Sequence, residues 1–168
     1  TVEWAAERGD ERLLLLTAAL ADCAARRGRL GQARVLLRDA LRRPSTQDDY
    51  RCVALNHAAR FAAEQGDHDE AIELSGEASR LVRSLGQPAL AMSCRSTLAA
   101  VQQSSGEWEA SDENNTECLR VAELLGEPLA RATCLVDLAR TALSLGKHER
   151  AETAVMKALP ISRASGVP

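Results

Sequence analysis

Apolar residues along this chain recur every three and four positions rather than every second one. Leu13, Leu16, Leu20 and Ala24 form one such stripe, and Leu135, Leu138, Ala139, Ala142 and Leu143 form another. That spacing keeps apolar side chains on one face of a helix and is wrong for a strand. The stripes are interrupted at regular intervals by glycine. Gly28, Gly66, Gly106 and Gly146 lie 38, 40 and 40 residues apart, and Gly86, Gly126 and Gly166 fall between them, 40 apart. The intermediate set sits in a repeated phrase: Leu85-Gly86-Gln87-Pro88, Leu125-Gly126-Glu127-Pro128 and Ser165-Gly166-Val167-Pro168. A glycine just past the last turn ends a helix, and a proline two residues later suits the first turn of the next. The pattern predicts a stub helix over 2–8 and full helices over 10–27, 30–43, 47–65, 68–85, 88–105, 108–125, 128–145 and 148–165. Connectors of two or three residues make neighbouring helices antiparallel. The Pro44-Ser45-Thr46-Gln47 loop replaces one Leu-Gly-x-Pro phrase and accounts for the shorter interval.

A fixed repeat of about 40 residues is the signature of a solenoid, in which each hairpin buries its apolar faces only against its neighbours. The expected fold is therefore all-α: a right-handed α-solenoid of about four antiparallel helical hairpins. It forms one domain over 1–168, with repeats at about 10–46, 47–87, 88–127 and 128–168, and residues 1–9 ending a preceding helix. The chain begins at Thr1 without an initiator Met, and the expectation is that it is a fragment of something longer.

Residues at fixed distances from the hairpin glycines carry a resemblance. Gly66-Asp67-His68-Asp69-Glu70-Ala71-Ile72-Glu73, followed by Ala78, resembles the turn and second helix of a tetratricopeptide repeat. The other copies open with Gly28-Arg29-Leu30-Gly31-Gln32-Ala33, Gly106-Glu107-Trp108-Glu109-Ala110-Ser111 and Gly146-Lys147-His148-Glu149-Arg150-Ala151. Seven residues before each glycine, where the helices of a hairpin cross, stand Ala21, Ala59, Ala99 and Ala139. Five and twelve residues after it stand Ala33 and Ala40, Ala71 and Ala78, Ser111 and Cys118, and Ala151 and Ala158. The repeat is longer than the family's usual length, lacks its large first-helix aromatics, and is most divergent at Glu113-Asn114-Asn115-Thr116. This long form is similar to the sensor arrays of large ATP-dependent bacterial transcription activators of the maltose-regulator and LuxR type, and of antibiotic-biosynthesis regulators. The resemblance implies a protein-interaction or effector-sensing array in a bacterial, cytoplasmic regulator, with a protein or peptide segment on its concave face. The alternative is a scaffold or self-association array, whose partner is a second copy or a neighbouring domain.

Composition narrows the options further. Aromatic residues make up 2% of the chain, so alanine and leucine must build the core through close helix approach. A net charge of −3 argues against direct nucleic-acid contact, which needs a basic face. No apolar run approaches the ~20 residues needed to span a bilayer. The five cysteines lack metal-ligand spacing and read as small buried hydrophobes in a reducing compartment. No phosphate loop, nucleophile elbow or paired metal-binding histidine occurs, so the expectation is no enzyme, no cofactor and no metal. His68 and His148 take the place of Trp108 and read as rings packed over the turn. Asp67, Asp69 and Glu70 fall in a helix's first turn, where its dipole favours acids.

Helical geometry, with the crossing alanine facing its partner helix, places a set of residues on the inner face. These are Asn56, Arg60, Ala63 and Glu64 in the second repeat, Ser96, Ala100, Gln103 and Ser104 in the third, and Val136, Arg140, Leu143 and Ser144 in the fourth. Asp22 and Arg26 are their counterparts in the first. Of these, Asn56, Arg60, Glu64, Ser96, Gln103, Val136 and Arg140 are the candidate ligand-groove residues. An asparagine and an arginine four apart resemble the polar clamps of tetratricopeptide grooves, which hold peptide backbones or carboxylates. The competing reading is that these side chains are solvated and pair among themselves.

Overall fold

A computed structural model of the chain describes residues 12–43 and 47–164. The stub over 2–8, the 44–46 loop and the closing phrase at 165–168 lie outside the described residues. Helix accounts for 86% of those described, and no strand occurs among them. In order the helices are α1 (Leu13–Arg26), α2 (Leu30–Leu41), α3 (Asp48–Glu64), α4 (His68–Leu81), α5 (Pro88–Ser104), α6 (Trp108–Leu125), α7 (Pro128–Ser144) and α8 (His148–Ala164). They pair as four antiparallel hairpins, and each second helix packs on the first helix of the next repeat.

Local chemistry sets the ends. Gly66 adopts φ +81°, the left-handed region, which lets its N–H reach Ala63 O at 3.0 Å and the Asp67 N–H reach Ala62 O at 3.0 Å. These bonds close the C-terminal turn of α3, and the chain reverses into α4. Pro88 and Pro128 occupy the first turns of α5 and α7, where a missing N–H is no loss. One boundary differs from expectation. The helix predicted over 68–85 ends as α4 at Leu81 and continues as a 3₁₀ turn, Val82–Ser84. There Arg83 Nε and Ser84 Oγ donate to Ser79 O and Leu81 O at 3.3 and 2.9 Å. Such turns commonly tighten helix C-termini.

Every small residue assigned to a crossing is buried: Ala21, Ala59, Ala99 and Ala139 in the first helices, and Ala33, Ala71, Ser111 and Ala151 in the second. With no side chain beyond Cβ or Oγ, they let helix axes approach closely. The larger core residues fill the space on either side. Leu14, Leu37 and Phe61 pack in the first half, Leu55 and Val82 in the middle, and Leu135 with Ala154 and Ala158 at the far end.

The five cysteines are free, but they do not share one environment. Cys52, Cys94, Cys118 and Cys134 are buried, whereas Cys23, expected inside, is exposed. Burial pushes the Cys52 and Cys94 thiols up, to about 11 and about 12. A hydrogen bond to Cys134, with burial second, raises Cys118 further. Held as neutral thiols, Cys52, Cys94 and Cys118 are packing groups rather than nucleophiles, whereas the hydrogen bond to Cys118 draws the Cys134 pKa down. Among the described residues no helix is long and apolar enough to cross a membrane.

Candidate peptide-binding groove

The first helices α1, α3 and α5 lie side by side, and α5 is tied to α7 by a hydrogen bond between Gln103 and Thr141. Between α3 and α5 the inner face dips into a depression of about 420 Å³. Arg60, Ala63 and Glu64 line it from α3, and Ser96, Thr97, Ala100, Val101 and Ser104 from α5. The depression opens where α5 presents Ala100 between the repeat positions that hold Arg60 on α3 and Arg140 on α7.

Arg60 dominates the α3 wall. Its Nη2 donates to Asp22 Oδ1 at 2.5 Å, its guanidinium carbon sits 4.9 Å above the Phe61 ring, and Glu64 Oε1 lies 3.9 Å from its Nε. Asp22 also accepts from Arg26 Nε at 2.7 Å. Hydrogen bonds from Arg60 and then Arg26 hold the Asp22 carboxyl below its ordinary pKa. His57 Nδ1 lies 3.3 Å from Arg60 Nη2 and 3.8 Å from Asp22 Oδ1. Burial, then the charge of Arg60, depresses the His57 pKa, so the ring is neutral at pH 7. Asn56 Nδ2 donates to Ser93 Oγ at 3.1 Å, while its buried Oδ1 has no partner among the described residues. Asn56 thus ties α3 to α5 through Ser93, with its amide oxygen enclosed.

Asn56, Arg60, Glu64 and Ser96 thus cluster at the depression or its edge. Val136 and Arg140 stand apart on α7. Val136 is exposed, and Arg140 Nη2 donates to Asp137 Oδ1 at 2.6 Å. Gln103 departs from expectation: it is buried, its Nε2 donating to Thr141 Oγ1 at 2.8 Å, and is not on the groove surface. Two features were missed. Thr97 lines the depression beside Ser96. Leu129 is exposed like Val136 and Leu143, and all three fall on one α7 stripe at seven-residue spacing. That interval was available in the sequence as the signal.

Models of the tetratricopeptide repeat match residues 89–164, and separately residues 14–39 and 53–77. These segments are tetratricopeptide repeats, and the chain belongs with the helical solenoids built from them. Such a fold is generally a non-catalytic scaffold for protein–protein interaction. No curated protein sequence matches the chain. Among solved structures it is similar to a Signal Transduction ATPase with Numerous Domains, a protein with a tetratricopeptide repeat sensor, from Pyrococcus horikoshii. The TM-score is 0.81 at 17% identity over 94% of this chain, which spans 25% of the other. It is also similar to an array of nearly identical TPR-like repeats from Podosopora anserina, with TM-score 0.80, 17% identity, and 92% and 77% of the two chains covered. Aspartyl phosphate phosphatase F from Bacillus subtilis aligns with TM-score 0.80 at 12% identity over 93% of this chain and 42% of its own.

Proposed function

We propose that this chain is the interaction or effector-sensing array of a larger bacterial transcriptional regulator in the cytoplasm, and that it holds a peptide segment carrying at least one acidic group between α3 and α5. The observation that carries the reading is Arg60. Its side chain is half-exposed at the wall of the depression, and Asp22 occupies only part of a guanidinium that has five N–H donors. The small residues of α5 let a peptide backbone approach that wall. Ser96, Thr97 and Ser104 add hydroxyls along the floor, and the exposed Val136 of α7 extends the surface with apolar area. Likeness to a protein with a tetratricopeptide repeat sensor supports a sensing role. The domain assignment, one array over 1–168, belongs to this proposal.

Selection of peptides from a random displayed library against the chain tests it. Ala100 is exposed on the floor, so Ala100→Trp fills the depression without entering the core. Selected peptides should be enriched in Asp and Glu, lose binding to Ala100→Trp, and weaken by about 1–3 kcal/mol against Arg60→Ala. Peptides that bind both variants as tightly as the parent would place the interface elsewhere.

A further inference from the structure

The central joint of the array, between the second and third repeats, departs from a pattern that the joints on either side keep. Three repeat positions define it: thirteen residues after one hairpin glycine, eleven before the next, and eight after that. At the first joint they hold Leu41, Leu55 and Leu74, which share one apolar cluster. At the third they hold Leu119, Leu135 and Ala154, which share another. At the central joint all three are polar: Ser79, Arg95 and Asn114. The three changes fall together, and they line one cavity.

That cavity, about 190 Å³, lies between the end of α4, α5 and α6. Val82, Ala91 and Leu98 give it an apolar wall, and Arg83 joins the polar side. Asn114 is fixed from behind. Its Nδ2 donates to Gln102 Oε1 and Ala110 O at 2.8 and 3.1 Å, and its Oδ1 accepts from Arg95 Nη1 at 3.2 Å. The amide therefore holds the Arg95 guanidinium while taking one of its five N–H donors. Arg83 Nε donates to Ser79 O at 3.3 Å, and its other donors are likewise open.

The cavity has cations and no acid of its own. At the first joint a corresponding cavity is lined by Arg34 and Arg38, and it supplies its own carboxylate, Glu70, which pairs with both. The residue in the place of Glu70 at the central joint is Ala110. Among the described residues Arg83 and Arg95 bond only neutral oxygens. Glu117 has its pKa held down first by hydrogen bonds from Arg120 and also by the charge of Arg95, but both its oxygens are taken by Arg120, at 2.8 and 2.7 Å.

We propose that this cavity is a binding site for a small organic anion, its carboxylate or phosphate head held by Arg83 and Arg95 and its apolar body set against Val82, Ala91 and Leu98. A guanidinium matches either head group with paired N–H donors, and the apolar wall selects for a body behind the charge. The site is separate from the depression between α3 and α5 and does not depend on a peptide lying there. Its occupant would touch both the second and the third repeat.

Benzoate and phenyl phosphate, titrated separately into the isotope-labelled 168-residue chain, probe the site. At least one should shift the backbone signals of Arg95, Leu98 and Asn114 and saturate in roughly the millimolar range suited to so small a ligand. The tighter of the two assigns the head group. Benzamide, which has the ring without the charge, and inorganic phosphate, which has the charge without the ring, should each bind about tenfold more weakly or worse. Arg95→Leu restores the residue type of the neighbouring joints, so it should fold and abolish the shifts. Arg83→Ala, at an exposed site, should weaken binding about tenfold, whereas Arg140→Ala on the inner face should leave it unchanged. The absence of a saturable shift with both anions would overturn the proposal, as would an equal response to benzamide or binding retained by Arg95→Leu and Arg83→Ala. Shifts at Arg60 and Ala100 in place of Arg95 and Asn114 would put the anion in the inner-face depression and overturn it equally.

Discussion

The joint between the first two repeats and the joint between the last two have the same backbone arrangement and different chemistry. At the first, Leu37 and Phe61 are buried together, and the ion network of Arg34 with Asp67 and Glu70 lies over them. At the last, the places of those two residues are taken by Asn115 and Thr141. Asn115 Nδ2 donates to Ser111 Oγ at 3.3 Å, Ser111 Oγ donates to Ala99 O at 2.9 Å, and Thr141 accepts from Gln103 while donating to Asp137 O at 2.8 Å. Register is thus held by the small residues at the crossings, which are buried throughout, and the filling between them is free to be apolar or polar. An apolar filling contributes through area and packing. A polar filling contributes little net energy but is costly to leave half-made.

The largest expected contrast is at one repeat position. Phe61→Ala removes the buried ring of the first joint and should cost about 3–5 kcal/mol by chemical denaturation. Thr141→Ala, its counterpart, strands the Gln103 amide and should cost about 1–3 kcal/mol. Equal costs would mean that the joints do not differ in kind. Ala99→Leu attacks what the joints share, a crossing with no exposed surface, and should cost roughly 1–3 kcal/mol through overpacking. A melting temperature equal to the parent's would show that the crossing tolerates bulk. Arg34→Met should cost about 1–2 kcal/mol, because the Arg34 side chain is only 14% exposed while its partners Asp67 and Glu70 are 46% and 29% exposed, and the cost should shrink in high salt. A salt-independent loss would assign the role of Arg34 to packing by its stem.

The smallest effect is a pH dependence confined to the first half. Because the folded-state pKa of His57 lies below its ordinary value of 6.5, the unfolded chain binds the proton more readily. The stabilisation is fully present above pH 6.5 and is lost as pH falls through 6.5 towards the depressed folded value. Asp22 faces the ring and offsets part of the shift, whereas Arg60 adds to it. Replacing His57 by Asn should flatten stability between pH 6.5 and the onset of carboxylate titration. An unchanged slope would assign the acid sensitivity to another group.

Much of this was readable in the sequence, because glycine and alanine act through size alone. A glycine at φ above zero and an alanine at a crossing have the same consequence in every repeat, so their periodicity marks turns and contacts directly. What the local pattern does not supply is which faces have a neighbouring repeat. Gln103 and Leu143 share a repeat position, yet the first is 8% exposed and the second 56%, because Gln103 has Thr141 of the following repeat to bond and Leu143 has no such neighbour among the described residues. Cys23 and Phe61 also share a position, and among the described residues only Phe61 has a preceding repeat to pack against. Helical periodicity assigns a residue to a face, but burial of that face depends on neighbours that the local pattern does not contain. The depression between α3 and α5 was legible for the same reason the crossings were: Arg60 and Ser96, which line it, stand at fixed offsets from Ala59 and Ala99.

The central claim, that the inner face between α3 and α5 is where a ligand lies, is tested most directly by titrating an isotope-labelled chain with an acidic peptide selected on it and following backbone amide signals. The account predicts shifts at Arg60, Ser96, Ala100 and Ser104, with Arg38, Arg83 and Asn114 on the second-helix side unmoved. Shifts confined to the second helices or to the ends at Leu20 and Val155, with the inner face silent, would contradict it.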